Sequence, residues 1–158
     1  MQNQISIVQV IQLMLAPGLM ISACGLLLLA MNNKYSLVVN RIRLLSEEKR
    51  RFISKVSGKD FNYEETVRLE SISLQIKKLA FRARLVRNAV LSYTIAVALF
   101  VITSLLIGFK FIFDLERLES IITALFLIGM LSVLAGVIFA AYETMKGYEI
   151  IQLEVKVD

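Results

Sequence analysis

Residues 13–45 read LMLAPGLMISACGLLLLAMNNKYSLVVNRIRLL, and this stretch decides the fold. It begins as an uncharged apolar run and continues, with no Pro or Gly after Gly25, into a basic amphipathic segment. At ~1.5 Å per residue, the part 13–31 is just long enough to cross a hydrocarbon core of ~30 Å. The stretch therefore predicts one helix that starts in a membrane and ends in an aqueous compartment.

Two further apolar blocks, 89–113 and 121–142, are also long enough to span a membrane. Of the 158 residues 57% are apolar, which exceeds the ~45–50% of soluble domains. The chain is therefore predicted to be an all-α membrane protein with three transmembrane helices. One side of the third span carries small residues spaced for close helix packing, at Gly129, Ser132, Gly136 and Ala140.

Basic charge is confined to residues 32–88, which contain 14 Lys and Arg against 6 Asp and Glu, a net charge of +8. The positive-inside rule places this region in the cytoplasm, with the N-terminus outside and the C-terminus inside. Residues 1–12 are polar but uncharged. They are expected to form an amphipathic lead-in at the outer interface rather than a signal peptide, because the positively charged n-region is missing.

Apolar residues recur at spacings of three and four along both halves of 32–88, which predicts a coiled-coil helical hairpin. Gly58 lies near the centre and suits a turn, because glycine accepts the left-handed conformation that ends many helices. With the turn there, the numbers of facing residues sum to roughly 118, so Ile42 faces Ile76 across the seam. Apolar residues then face apolar residues along almost the whole hairpin.

Several apolar residues lie off the internal seams of the hairpin. Exposed apolar stripes of this kind usually mark a contact surface. The hairpins of neighbouring copies are therefore predicted to pack together, which makes the protein a homo-oligomer. The candidate oligomer contacts are Leu37, Leu44, Leu74, Phe81 and Leu85.

The C-terminal segment 143–158 is expected to be a cytoplasmic tail. Within it, Ile151, Leu153, Val155 and Val157 alternate with polar residues, and strict alternation predicts a short β-strand. This strand either pairs with its copy in a neighbouring subunit or forms a mobile end, and the sequence leaves both possibilities open.

Small residues line one edge of the first span. Gly18, Ser22 and Gly25 are spaced by four and three, so another helix can approach closely along this seam, or the seam can line a central path in a ring of copies. Both interpretations remain open. With the polar residues at the two mouths, the candidate pore or packing residues are Gln9, Gln12, Gly18, Ser22, Gly25, Asn32 and Asn33.

Six basic residues cluster near the membrane ends of the hairpin. In a channel they would make the inner vestibule positive and favour anions, whereas in an interaction module they would contact anionic lipid. Nucleic acid is disfavoured as a partner because the hairpin tip mixes acidic with basic side chains. The six residues are Lys34, Arg41, Arg43, Arg82, Arg84 and Arg87.

Side chains that carry catalytic chemistry are scarce. The sequence has no His, no carboxylate inside an apolar block and one Cys, Cys24, in an apolar run that disfavours its thiolate. No catalytic, cofactor-binding or metal-binding residue is predicted, and the protein is not expected to be an enzyme.

Two motifs, LMISACGLLLLAMNNKYSLVVNRIRLL at 19–45 and FRARLVRNAVLSY at 81–93, resemble a widespread family of small bacterial membrane proteins of unknown function. The resemblance covers nearly the whole chain and implies one span, a basic hairpin and two further spans in the bacterial inner membrane. It implies no established activity. Its most specific residues are Asn32, Asn33 and Lys34, followed by Asn40, Arg41, Ile42 and Arg43.

The residues leave two functions open. One is a channel-like homo-oligomer whose first span lines a central path. The other is a membrane-anchored coiled-coil scaffold, or an interaction module that binds a cytoplasmic protein or anionic lipid. The channel makes the sharper predictions, because single substitutions in the first span should block it.

Overall fold

The computed structural model describes residues 7–56, 63–113 and 118–155, and the predicted turn around Gly58 lies outside them. All described residues are helical, in three helices that are long and apolar enough to cross a membrane. This architecture indicates a membrane protein and confirms the all-α class. The helices are α1, Ile7–Val56; α2, Tyr63–Phe113; and α3, Leu118–Val155.

Helix α1 is a single helix of 50 residues that includes Pro17. At ~1.5 Å per residue it is about 75 Å long, so it extends far beyond a hydrocarbon core of ~30 Å. Pro17 does not start the helix, because α1 begins at Ile7. The part of the predicted lead-in from Ile7 onward therefore belongs to the same helix, and residues 1–6 lie outside the described residues.

Helix α2 runs antiparallel to α1 and packs against it along much of its length. Met31 of α1 joins Val86 and Ala89 of α2 in one buried cluster. Further from the apolar segments, Arg68 Nη2 donates a hydrogen bond to Glu48 Oε1 over 3.1 Å. The residue numbers of these facing partners sum close to the value predicted for the hairpin.

Helix α3 packs against α2 and touches α1 only locally. The small-residue seam of α3 faces α2, and aromatic rings of α2 fill the space above its glycines. A Cβ atom at Gly136 would lie 2.6 Å from the Tyr93 ring, and one at Gly129 would lie 2.8 Å from the Phe100 ring. Ser132 Oγ donates a hydrogen bond to the carbonyl oxygen of Ser92 over 2.8 Å. Glycine at these two positions lets the backbones approach.

The predicted C-terminal strand is wrong for the described residues, because α3 continues to Val155. Tyr148, Ile151 and Val155 are also spaced by three and four, so the segment fits a helical period as well as alternation. A helix that has already nucleated adds residues at little cost. A lone strand needs a partner for its backbone hydrogen bonds, so the helix satisfies these groups more readily.

Candidate functional site at a three-helix ion-pair junction

One buried carboxylate joins all three helices. Glu143 follows directly after the apolar segment 121–142, and its side chain is only 1% exposed. Glu143 Oε1 accepts hydrogen bonds from Arg82 Nη2 over 2.7 Å and from Arg82 Nε over 3.2 Å, whereas Oε2 accepts one from Lys34 Nζ over 3.1 Å. The residues Lys34, Arg82 and Glu143, which we call the junction, thus connect α1, α2 and α3.

The junction satisfies the hydrogen-bonding groups of Glu143 and carries a net positive charge. Lys34 Nζ also donates to Thr144 Oγ1 over 3.2 Å. Burial alone would raise the pKa of the Glu143 carboxyl, but the hydrogen bonds and charges of Arg82 and Lys34 hold that pKa below its ordinary value. The carboxylate is therefore ionised at neutral pH, and as an anion it forms ion pairs with both Lys34 and Arg82.

Gly147 makes room for the Arg82 side chain. It lies one turn after Glu143 on the same side of α3, and a Cβ atom there would lie 3.0 Å from Arg82 Nη2. The guanidinium can therefore lie against the backbone of α3 and present two donors to one carboxylate oxygen. Such paired donation is specific to arginine, so lysine at this position would be a poor replacement.

A second ion pair lies at the other end of the α2–α3 contact, where Lys110 Nζ donates a hydrogen bond to Glu119 Oε1. This hydrogen bond and the charge of Lys110 lower the pKa of Glu119. Glu119 and Glu143 are separated by about 36 Å along α3. That separation slightly exceeds a hydrocarbon core of ~30 Å, so the two ionic levels bracket the apolar segment 121–142 as membrane interfaces would.

The junction changes the interpretation of the six basic residues. Lys34 and Arg82 are engaged by Glu143. The remaining four, Arg41, Arg43, Arg84 and Arg87, are exposed. Periodicity within each apolar segment did not reveal the role of Glu143, because periodicity relates only residues of the same helix. The sequence nevertheless contains the relevant pattern. Glu143 lies just beyond the third apolar segment, and Lys34 and Arg82 lie just outside the other two on the same side.

The Gly18–Ser22–Gly25 seam of α1 is not covered by the described part of this chain. No atom of another helix lies within 4 Å of the position that a Cβ would take at Gly18 or Gly25. Ser22 is exposed and donates its hydroxyl to the Gly18 carbonyl oxygen over 3.3 Å. Cys24, in contrast, is buried in a cluster with residues of α2. The seam thus faces away from α2, and Asn32 and Asn33 beyond it are also exposed.

The two glutamines at the start of α1 are exposed but lie off this seam. At 3.6 residues per turn, Gln12 and Gln9 lie roughly 110° and 170° around the helix from the mean direction of Gly18, Ser22 and Gly25, whereas Asn32 and Asn33 lie within about 50° of it. A path built along the seam would therefore be lined by Ser22, Gly25 and the asparagines rather than by the glutamines. Sequence spacing within the first twelve residues did not show this offset.

Four of the five candidate oligomer contacts are exposed, namely Leu37, Leu44, Leu74 and Phe81. The fifth, Leu85, is buried, so its assignment to an outer surface is wrong. Helix α3 continues past its apolar segment and lies against α2 at Arg82, one turn from Leu85. This extension covers a side of α2 that the hairpin alone would leave open.

Within the residues that the structure describes, no group of three or more His, Cys, Asp or Glu side chains is placed to hold a metal ion. The two grooves along the hairpin are lined by mixed apolar and charged side chains. The first contains Arg41, Leu45, Glu48, Val67, Ser71 and Ile72.

The helices and the junction indicate a membrane protein with three long apolar helices that ion pairs connect at one end. The family model described as a protein of unknown function (DUF2721) matches residues 14–153, and the chain belongs to this family. The resemblance of motifs 19–45 and 81–93 to a family of unknown function is thereby confirmed. No curated protein and no solved structure matches the chain.

Proposed function

We propose that the protein is a homo-oligomeric, channel-like membrane protein in which the Gly18–Ser22–Gly25 seam of α1 lines a central path. The uncovered seam is the observation that carries this proposal. Aromatic rings fill the space at Gly129 and Gly136, whereas the space at Gly18 and Gly25 is open. Because small residues usually lie where membrane helices meet, copies of α1 are expected to face one another here.

The residues along the seam suit a path for ions. The Ser22 hydroxyl offers a polar group at mid-depth, and Leu29, which is exposed, lies on the same face seven residues further on. A ring of Leu29 side chains would form an apolar constriction of the kind that gates by dewetting. Arg43 follows Gly25 by about five full turns, so it extends the same face below the membrane. A ring of Arg43 would favour anions.

The same proposal places the protein in a bacterial inner membrane with residues 32–88 in the cytoplasm, the N-terminus outside and the C-terminus inside. The net charge of +8 in this region supports the orientation. The motif resemblance supports the bacterial membrane. Neither the channel nor the orientation requires a catalytic group, so we propose no enzymatic activity.

Substitution of Ser22 by tryptophan is expected to abolish ion current. The indole would fill the path at mid-depth in every subunit, whereas a tryptophan at an exposed position of α3 would face lipid. The measurement is conductance of the purified protein in planar bilayers, compared between wild type, Ser22→Trp and the control Leu131→Trp. Leu131 is exposed and lies in the apolar segment of α3.

Wild type and Leu131→Trp should conduct alike, with current from Ser22→Trp reduced at least tenfold. Equal current from all three proteins would place the path elsewhere. A silent wild type would reject the channel.

A membrane-anchored scaffold is the second candidate function, and the exposed leucines of the hairpin favour it. Leu37 is 70% exposed and Leu44 is 61% exposed, although both lie beyond the apolar segment of α1. Leu37 and Leu44 are seven residues apart on one face of α1, and contiguous exposed apolar patches usually mark an interaction site. In a scaffold these residues, with Leu74 and Phe81, would bind a cytoplasmic protein or a neighbouring copy through a coiled-coil contact.

Substituting Leu74 and Phe81 together by glutamate is expected to lower the detergent-solubilised mass of the protein. Both side chains are exposed in the single chain, so the charges would disrupt contacts between copies more than the fold. The matched control is Thr66→Glu with Ser71→Glu, at exposed polar positions of the same helix, which adds the same two negative charges. Light scattering coupled to size exclusion gives the mass, and identical masses for both double variants would argue against assembly through this surface.

A further inference from the structure

The basic residues of the hairpin differ in their depth relative to the membrane. The headgroup layer extends roughly 5–8 Å beyond the hydrocarbon core on each side. Arg87 and Arg84 lie two and five residues before the apolar segment 89–113, which places them about 3 Å and 7.5 Å below its edge. The backbone of both residues therefore lies at headgroup depth on the hairpin side, within reach of the phosphates for an arginine side chain.

The other two exposed arginines lie deeper in the aqueous phase. Arg41 and Arg43 follow the apolar segment 13–31 by ten and twelve residues, or about 15 Å and 18 Å along α1. A single layer of headgroups does not reach that far. These two residues thus carry the same charge as Arg84 and Arg87 at a depth where lipid is absent.

The remaining cations near the membrane edge already have partners. Lys34 and Arg82 bind Glu143, and Lys146 Nζ lies over the Tyr142 ring, 6.0 Å from its centroid. Arg84 and Arg87 form no ion pair with any residue that the structure describes. Two uncompensated guanidinium groups at headgroup depth attract negative charge from outside the chain.

The face of α2 that carries these arginines continues into the membrane as an apolar stripe. Leu91 follows Arg87 by four residues and Arg84 by seven, so the three lie on one side of the helix. Leu91, Ile95 and Ile102 are exposed. The face thus combines two cations at headgroup depth with apolar side chains at acyl-chain depth, which matches the two parts of a phospholipid.

We propose that Arg84 and Arg87 form a binding surface for anionic phospholipid, with the guanidinium groups on the phosphate and the acyl chains along Leu91 and Ile95. Arginine suits this role because its planar donors match the geometry of a phosphate group. The surface stands independently of the channel and of the oligomer, since it lies on one helix of one chain.

The test measures phosphatidylglycerol and phosphatidylcholine bound to the full-length protein in detergent by native mass spectrometry. Each arginine is expected to contribute about a fivefold preference for the anionic lipid. Substitution Arg84→Gln with Arg87→Gln should therefore lower the preference by about 25-fold. Arg41→Gln with Arg43→Gln, which removes the same charge at greater depth, should change it less than about twofold.

A third variant, Arg84→Lys with Arg87→Lys, keeps the charge and should retain most of the preference, which separates lipid binding from misfolding. Equal loss in the Gln variants at both depths would show a general effect of net charge and overturn the proposal. No preference in the wild type would overturn it too. Displacement of phosphatidylglycerol by soluble glycerol phosphate would identify a soluble phosphate as the ligand instead.

Discussion

Replacement of Arg82 by alanine is expected to lower the free energy of unfolding by about 3–5 kcal/mol, because it leaves a buried carboxylate without its main partner. Glu143 is 1% exposed and would keep only the hydrogen bond from Lys34. The measurement is thermal or denaturant unfolding of the protein in detergent, followed by circular dichroism. The control is Arg51→Ala, which breaks a surface pair with Glu47 and should cost less than about 1 kcal/mol.

The opposite substitution should cost less. In Glu143→Gln the two cations lose their partner, but Arg82 is 24% exposed and Lys34 is 46% exposed, so both can turn toward water. Replacement of the buried pair by apolar residues, Arg82→Met with Glu143→Leu, should recover much of the stability lost in Arg82→Ala. If Arg82→Ala were no more harmful than Arg51→Ala, the junction would not hold the helices together.

Substitution of Gly136 by alanine is expected to destabilise the α2–α3 contact by about 1–3 kcal/mol, because the added methyl group overpacks a filled site. A Cβ atom there would lie 2.6 Å from the Tyr93 ring, which is itself buried. The same measurement applied to Gly25→Ala should show no loss, and a gain of roughly 0.5–1 kcal/mol in a monomeric state, since alanine favours the helix. The two variants make the same chemical change at a filled and at an open site.

Substitutions at Gly25 and Gly136 also test whether copies of the protein assemble through α1. If copies of α1 meet at the seam, Gly25→Leu should alter the oligomeric mass, although it meets nothing within the described part of one chain. Gly136→Ala should instead lower stability without a specific change of mass. In the monomeric state, a stability loss in Gly25→Ala equal to that in Gly136→Ala would show that the space around Gly25 is filled within one subunit.

The three apolar helices and the register of α1 against α2 could be predicted from the sequence, because both depend on local periodicity. An apolar block of the length of 121–142 has few alternatives to a membrane helix. The pairing of Met31 with Val86 follows once two helices with matching stripes are joined by a short connection. These features need no knowledge of how α3 lies against the other two helices.

The features that the sequence analysis missed depend on that third helix. Periodicity shows which face of a helix is apolar, but it does not show which partner covers that face. Leu85 therefore looked exposed in a two-helix hairpin. Glu143 looked like an ordinary charge in a tail, because its role requires Lys34 and Arg82, which lie far away in sequence. The C-terminal strand was predicted wrongly for a related reason. The apolar residues there fit both the two-residue period of a strand and the 3.6-residue period of a helix, and the segment continues the helix that precedes it.

Because α1 is one continuous helix, a tilt about the junction would displace its two ends in opposite directions. Ile53 lies 19 residues beyond Lys34 and Ser22 lies 12 residues before it, which corresponds to arms of about 28 Å and 18 Å. A tilt of ~10° about Lys34 would move Ile53 by about 5 Å and Ser22 by about 3 Å in the opposite direction. Because α2 packs against α1 along much of its length, such a tilt would move both helices together, and it would displace Ser22 without any change of conformation inside α1.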